Sequence, residues 1–156
     1  MSKKPSLDSS VCRNRKARFR FELLERLECG LVLRGAEVKS LREGRASLEE
    51  AYIRIEDDGL WLIGCHIAPY TFDTTGRYDP LRRRKLLVHA RELRKLAPKV
   101  EQKGLTLVPL RLYFNSRGIA KVEIALARGK RLTDKRQTLK EREHRREMDR
   151  ARRVDR

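Results

Sequence analysis

Cysteine is sparse in this chain and poorly placed for chemistry. Cys12, Cys29 and Cys65 are odd in number, far apart and never in C-x-x-C spacing. That argues against a disulfide framework or a thiolate zinc site and leaves buried or idle thiols in a reducing compartment. Long hydrophobic runs are also missing: Leu60 to Cys65 is the densest apolar stretch, far too short to span a membrane. The opening Met1-Ser2-Lys3-Lys4-Pro5 lacks the apolar core of a signal peptide, so a cytoplasmic protein is expected. His66, His89 and His144 fall in no H-x-x-H or H-E-x-x-H pattern, and no G-x-S-x-G elbow occurs. Gly129-Lys130 is not a phosphate loop, because Ile124 stands five residues before Gly129 and Arg131 replaces the hydroxyl residue. Asp57-Asp58 is explained by a turn. Neither a catalytic set nor a cofactor or metal is therefore expected.

Acidic residues are the remaining shortage. Against 39 Lys and Arg there are 22 Asp and Glu, a net charge of +17 in 156 residues. Residues 128 to 156 hold +7 of it, from thirteen basic and six acidic side chains. Their apolar residues, Leu132, Leu139, Met148, Ala151 and Val154, form no continuous helical stripe. Such a segment has too little apolar surface to offset the entropy of ordering, so it should be disordered when free. Thr138-Leu139-Lys140-Glu141 nevertheless reads as a capping box, and Glu141/Arg145 and Asp149/Arg153 are acid-before-base pairs four apart. A helix prepared locally but lacking a core awaits a polyanionic partner. The body, residues 1 to 127, is itself +10, so its field also favours phosphate, and nucleic acid is the leading partner.

Three segments are expected: a flexible N-terminus over 1–13, a folded body over 14–127 and the basic tail over 128–156. Phe19, Phe21 and Leu23 alternate with polar residues as in a half-buried strand, and Leu31 to Leu33 forms a second apolar run after Gly30. Glu37 to Arg42 suits a short helix ending near Gly44. Residues 51–55 and 60–67 flank Asp57-Asp58-Gly59, a hairpin signal that relies on positive φ angles. Residues 68–80 read as a loop, and Asp79-Pro80 could cap a helix. A firmer helix starts near His89 and ends near Gly104, with Pro98 casting doubt on its last turn. Val108, Leu110, Leu112 and Phe114 share a face of one strand, as do Val122, Ile124 and Leu126 of the next. About six antiparallel strands with short helices fit a small closed barrel of oligonucleotide-binding type, and a two-sheet sandwich fits the pattern nearly as well.

Several stretches then resemble a known family. Gly35-Ala36-Glu37-Val38-Lys39-Ser40-Leu41-Arg42-Glu43-Gly44 is similar to the G-[TA]-E-V-K-S-L-R-x-G signature of the SsrA-binding proteins (SmpB). Arg84-Lys85-Leu86-Leu87 after Asp79-Pro80 follows the same pattern, as does the run from Gly104 through Thr106-Leu107-Val108-Pro109-Leu110. It closes with Ile124 to Arg131 and Asp134-Lys135-Arg136. The resemblance runs in order from Asn14 onward.

It implies a six-stranded β-barrel of oligonucleotide-binding (OB) type and a non-enzymatic, monomeric RNA-binding adaptor. Members bind the tRNA-like domain of transfer-messenger RNA. With the elongation factor that delivers tRNA, they bring it to stalled ribosomes for trans-translation, and the tail meets ribosomal RNA of the decoding centre and message channel. The family's RNA-contacting positions correspond here to Asn14, Glu28 and Leu87. Asn14 can pair with base edges or a 2′-hydroxyl, Glu28 can accept from base amino groups, and Leu87 can cover an unstacked base. Arg15, Lys16 and Arg18 are expected phosphate contacts. On the residues alone, Glu28 could equally close the turn at Gly30, and core packing is the default for Leu87. In the tail, Gly129, Lys130, Arg131, Asp134, Lys135 and Arg136 match the family pattern. Thr133 departs from it where relatives carry Tyr or His, and His144 could stack in the message channel. A general coat for structured RNA and an RNA-processing enzyme are the rival functions.

Overall fold

In the computed structural model, residues 10–74, 76–102, 104–130 and 132–154 are described. In chain order they form β1 (Ser10–Arg13), α1 (Ala17–Arg20), β2 (Phe21–Leu31), α2 (Gly35–Arg42), β3 (Ala46–Ser47), β4 (Tyr52–Glu56) and β5 (Gly59–Ile63). Then follow β6 (His66–Ile67), β7 (Arg84–Leu87), α3 (Ala90–Val100), β8 (Leu105–Phe114), β9 (Ala120–Gly129) and α4 (Leu132–Val154).

A ring of antiparallel strands closes in the order β8, β4, β5, β7, β2, β9 and back to β8. β8 closes the ring because it is long enough to carry β9 along one edge and two short strands on the other. β4 meets it at Leu107, and β1 meets it at Arg111 to Tyr113. The barrel therefore has six ring strands plus β1 as an appended edge. The two-stranded β3–β6 ladder lies outside it.

Alternation fills the barrel. Cys29 and Leu31 on β2, Leu60 and Leu62 on β5, Leu107 and Leu112 on β8, and Val122, Ile124 and Leu126 on β9 join one buried cluster, with Leu41 of α2 and Leu96 of α3 capping it. β8 departs from the single apolar face expected of it. Its register shifts between Pro109 and Arg111, and the extra residue exchanges the faces on either side. Leu112 and Phe114 consequently face the core cluster, while Val108 and Leu110 join a separate outer cluster with Ala125, Ala127, Phe21 and Leu23.

Other elements also differ from expectation. Residues 17–20 make a helical turn before β2 starts at Phe21, so Phe19 belongs to no strand. β2 runs unbroken through Gly30 to Leu31. The β4–β5 hairpin forms, with Glu56 opposite Gly59, but only Gly59 (φ +128°) has positive φ, so Asp57 and Asp58 do not make the mirror-image turn. Residues 84–87 form a strand, because Arg84 and Leu86 point inward while Lys85 and Leu87 point outward; Pro80 opens no helix. α3 continues through Pro98 to Val100.

The family signature folds around one buried ion pair. Glu37 and Arg84 are 1% and 0% exposed. Arg84 donates from Nε to Glu37 at 2.5 Å, from Nη1 to the Cys65 carbonyl at 2.6 Å and from Nη2 to the Pro80 carbonyl at 3.1 Å. Glu37 also accepts from Arg82 at 2.5 Å and from the Arg34 backbone N–H at 2.8 Å, which caps α2. Burial alone would push the Glu37 carboxyl up, but these donors prevail and hold it below its ordinary value. Cys29 and Cys65 are buried and unpaired. Burial pushes their thiols up to about 12 and the partly buried Cys12 up to about 11, as inert thiols require.

Candidate nucleic-acid interface

The bulge in β8 builds a polar groove on the barrel. It turns the Pro109 carbonyl out of the ladder, and Asn14, just after β1, takes it: the Asn14 amide Nδ2 donates to Pro109 O at 3.0 Å, and its backbone N–H donates to Leu110 O at 2.7 Å. The other amide atom, Asn14 Oδ1, is buried with no hydrogen-bond partner among the described residues, an uncommon state for a native polar atom. Around it opens a groove of about 670 Å³ lined by Arg13, Asn14, Arg15, Arg18, Arg26, Leu110, Arg111, Glu123 and Arg142. Six arginines face one carboxylate there. The Arg15 and Arg18 side chains are exposed. Lys16, between them, points elsewhere: it lines a smaller neighbouring recess and pairs with Glu49 at 3.7 Å.

From the groove a polar ladder crosses the outer face of the barrel. Strand register sets Arg13, Arg111, Glu123 and Glu28 in one row and Tyr113, Lys121, Gly30 and Leu87 in the next. Glu123 accepts from Arg26 at 3.3 Å and from Arg111 at 2.6 Å. The Arg111 guanidinium lies 4.4 Å from the centre of the Tyr113 ring, and the Tyr113 hydroxyl donates to Glu28 Oε2. Burial and then the Glu28 carboxylate push the Tyr113 hydroxyl well above the ordinary phenol range, so it stays a donor. Glu28 is thus exposed but oriented through one oxygen.

Leu87 belongs to the same face. Core packing is the wrong reading for it: the side chain is 56% exposed. Its Cβ lies 3.1 Å from where a side chain on Gly30 would begin, so Gly30 leaves room for Leu87 to cross the strand. Asn14 with Arg15 and Arg18 therefore sit at one end of this surface, with Glu28 and Leu87 further along it.

The tail leaves the barrel beside the groove. Gly129 ends β9 opposite Phe21. The Lys130 backbone N–H donates to Arg20 O at 3.0 Å, and its Nζ donates to Arg18 O at 2.7 Å and Thr138 Oγ1 at 3.0 Å. Arg131 lies outside the described residues, as do the side chains of Thr133, Asp134 and Lys135. α4 starts at Leu132, so Thr138 is inside the helix and does not open it. The Arg142 guanidinium is 5.9 Å from the centre of the Phe19 ring, which brings α4 to the groove's rim. From Arg136 to Val154 every residue except Thr138 is exposed, His144 included.

The sequence matches the SmpB protein family over residues 11–154. The chain belongs to that family. Among SmpB relatives, the SsrA-binding protein of Rhodopirellula baltica is 52% identical over 141 residues, covering 90% of this chain and 80% of the relative. That of Thermosynechococcus vestitus is 55% identical over 139 residues, covering 88% and 91%. A solved structure described as "tmRNA-SmpB: a journey to the center of the bacterial ribosome" superposes with a TM-score of 0.65 at 53% identity, covering 78% of this chain and 85% of that one. The SmpB signature around Glu37 and Arg84 is a core device. Sequence reasoning missed the outer ladder of Arg26, Glu123, Arg111 and Tyr113, and also Arg13 and Arg142. The one sequence signal for the ladder was Pro109 within a strand, which marks a bulge or an edge.

Proposed function

We propose that this chain is an RNA-binding adaptor of trans-translation, which binds the tRNA-like domain of transfer-messenger RNA and carries it to stalled ribosomes. The observation that carries this reading is the arginine-lined groove around the orphaned Asn14 oxygen, continuous with the oriented Glu28. Arginines neutralise phosphate and hold register, whereas Asn14 Oδ1 and the second oxygen of Glu28 are acceptors for a 2′-hydroxyl or a base amino group. Leu87, exposed at the far end, offers an apolar cover for an unstacked base. The relatives' name, SsrA-binding protein, and the ribosomal setting of the structural neighbour support the same partners.

In this reading the protein works as a cytoplasmic monomer alongside the elongation factor that delivers tRNA. It acts as a binder and not a catalyst: the groove is lined by arginines suited to holding phosphates in place. The tail is disordered when free and helical on the ribosome. α4 has almost no docked face, and isolated helices are marginal in water unless a partner neutralises their charge. Gly129 lets the chain leave the last strand. Lys130, Arg131, Asp134, Lys135 and Arg136 meet ribosomal RNA, and His144 stacks in the message channel.

Removal of residues from Thr133 onward, which takes only Arg142 from the groove, should leave binding of a tRNA-like-domain transcript almost unchanged apart from that one phosphate contact and abolish tagging of stalled nascent chains. Outright loss of transcript affinity in that truncation would show that the barrel is not the reader. Affinity for the transcript no better than for an equally long unrelated RNA would favour a general RNA coat.

A further inference from the structure

Phe72 is 76% exposed and is not among the groove's lining residues. Its ring stands edge-on to Tyr70, with centroids 5.5 Å apart and planes at 64°. Behind Tyr70 lies α2: the Lys39 ammonium is 5.2 Å from the Tyr70 ring centre, and Arg45 Nη1 donates to Pro69 O at 3.3 Å. One further bond ties the loop to α2, a second ties it to Arg45 just beyond that helix, and a third closes the loop on itself. Ser40 Oγ donates to Ala68 O at 2.5 Å, Ala68 N–H to Arg45 O at 2.9 Å, and Asp73 N–H to Tyr70 O at 3.0 Å. The aromatic pair is therefore braced on the body, and the exposure of Phe72 is built in.

A solvent-facing ring braced on a second ring that itself carries a cation matches the chemistry of single-stranded nucleic acid, in which a base stacks on the exposed ring and neighbouring phosphates reach the cations of the same loop and helix. From Lys39 to Arg45 the chain carries Lys39, Arg42 and Arg45 against Glu43 alone. An acidic peptide would use the cations but has no flat group for the ring. We propose that Phe72, backed by Tyr70 on Lys39 and carried by a loop that Arg45 holds at Pro69, is a stacking site for one unpaired base of an RNA segment. It shares no residue with the Asn14 groove and rests on the reading of the chain as an RNA binder.

The test uses the full chain and three labelled RNAs: a ten-nucleotide oligoadenylate, a duplex of the same length and a tRNA-like-domain transcript. Phe72→Ala should weaken oligoadenylate binding about tenfold, the loss of one stacked base, and Phe72→Trp should restore it. Neither change should alter affinity for the duplex or the transcript. Lys39→Gln with Arg45→Gln should flatten the salt dependence of oligoadenylate binding. Ultraviolet cross-linking should attach the oligonucleotide to the peptide containing Phe72.

Oligoadenylate binding unchanged in Phe72→Ala, with no cross-link there, overturns the stacking site while leaving the groove intact. Weakened ribosome association in Phe72→Ala with oligoadenylate affinity unchanged would mark a protein contact and overturn it equally. Failure of the parent chain to bind any of the three RNAs sinks the proposed function itself.

Discussion

Arginine does opposite work in two parts of this molecule. Arg84, sealed inside the barrel's end, uses Nε, Nη1 and Nη2 on Glu37 and two backbone carbonyls. Arg15 and Arg18, in the groove, have guanidinium groups exposed to solvent with no partner among the described residues. Charge does not separate the two, since both regions are basic. Unused hydrogen-bonding capacity does: a saturated arginine holds a fold, and an unsaturated one awaits a ligand.

The sharpest way to break this comparison is to exchange the consequences. Arg84→Ala leaves the Glu37 carboxylate buried without its main partner and should cost about 3–5 kcal/mol, read by urea denaturation. An intact chain after that change would mean that the buried pair is not what fixes α2 to β7. Next in size are the directional contacts. Asn14→Ala and Glu28→Ala should each weaken transcript binding by about 1–3 kcal/mol in a filter or anisotropy titration. Tyr113→Phe should weaken it less, by freeing Glu28 to turn. Circular dichroism of each variant separates lost contact from lost fold.

Smaller again is the pair Arg15→Ala with Arg18→Ala. Stability should change by no more than about 0.5 kcal/mol, whereas the logarithmic salt slope of RNA binding should fall by about 2, one for each lost phosphate contact. An unchanged slope would place the phosphates elsewhere. Last comes pH. Because the folded-state pKa of Glu37 is depressed, its contribution to stability is present above the ordinary carboxylate range and is lost as pH falls through the lower folded value. Thermal melts of Glu37→Gln should therefore show a shallower loss of stability on acidification below about pH 4.5 than the parent.

Much of the barrel was legible because alternation is a local signal. Val122, Ile124 and Leu126 were placed together by spacing and do share the core. What could not be read depends on neighbours distant in sequence. The four alternating apolar residues of β8 divide between two clusters because the bulge at Pro109–Arg111 reverses the pleat. Asp79-Pro80 suggests a helix cap upstream of Arg84, and only the pairing of Arg84 with Glu37, 47 residues earlier, reveals a core residue there. Of the site, Asn14, Arg15 and Arg18 do meet in one groove. The Tyr113–Glu28 bond spans 85 residues and left no trace in spacing.

The closure of the ring has a consequence for how this chain is made. β2 pairs with β9 from Phe21 opposite Gly129 to Gly30 opposite Lys121, so one of the first strands synthesised must wait for the last. β7 reaches β2 earlier, but the barrel stays an open sheet with an unpaired β2 edge until β9 has emerged. Joining ends so far apart costs loop entropy before any contact repays it, which makes closure a late and comparatively slow event. Among the described residues α4 follows β9. Every copy of this protein therefore passes through a stage, still tethered to the ribosome that made it, in which its RNA-facing strands are incomplete.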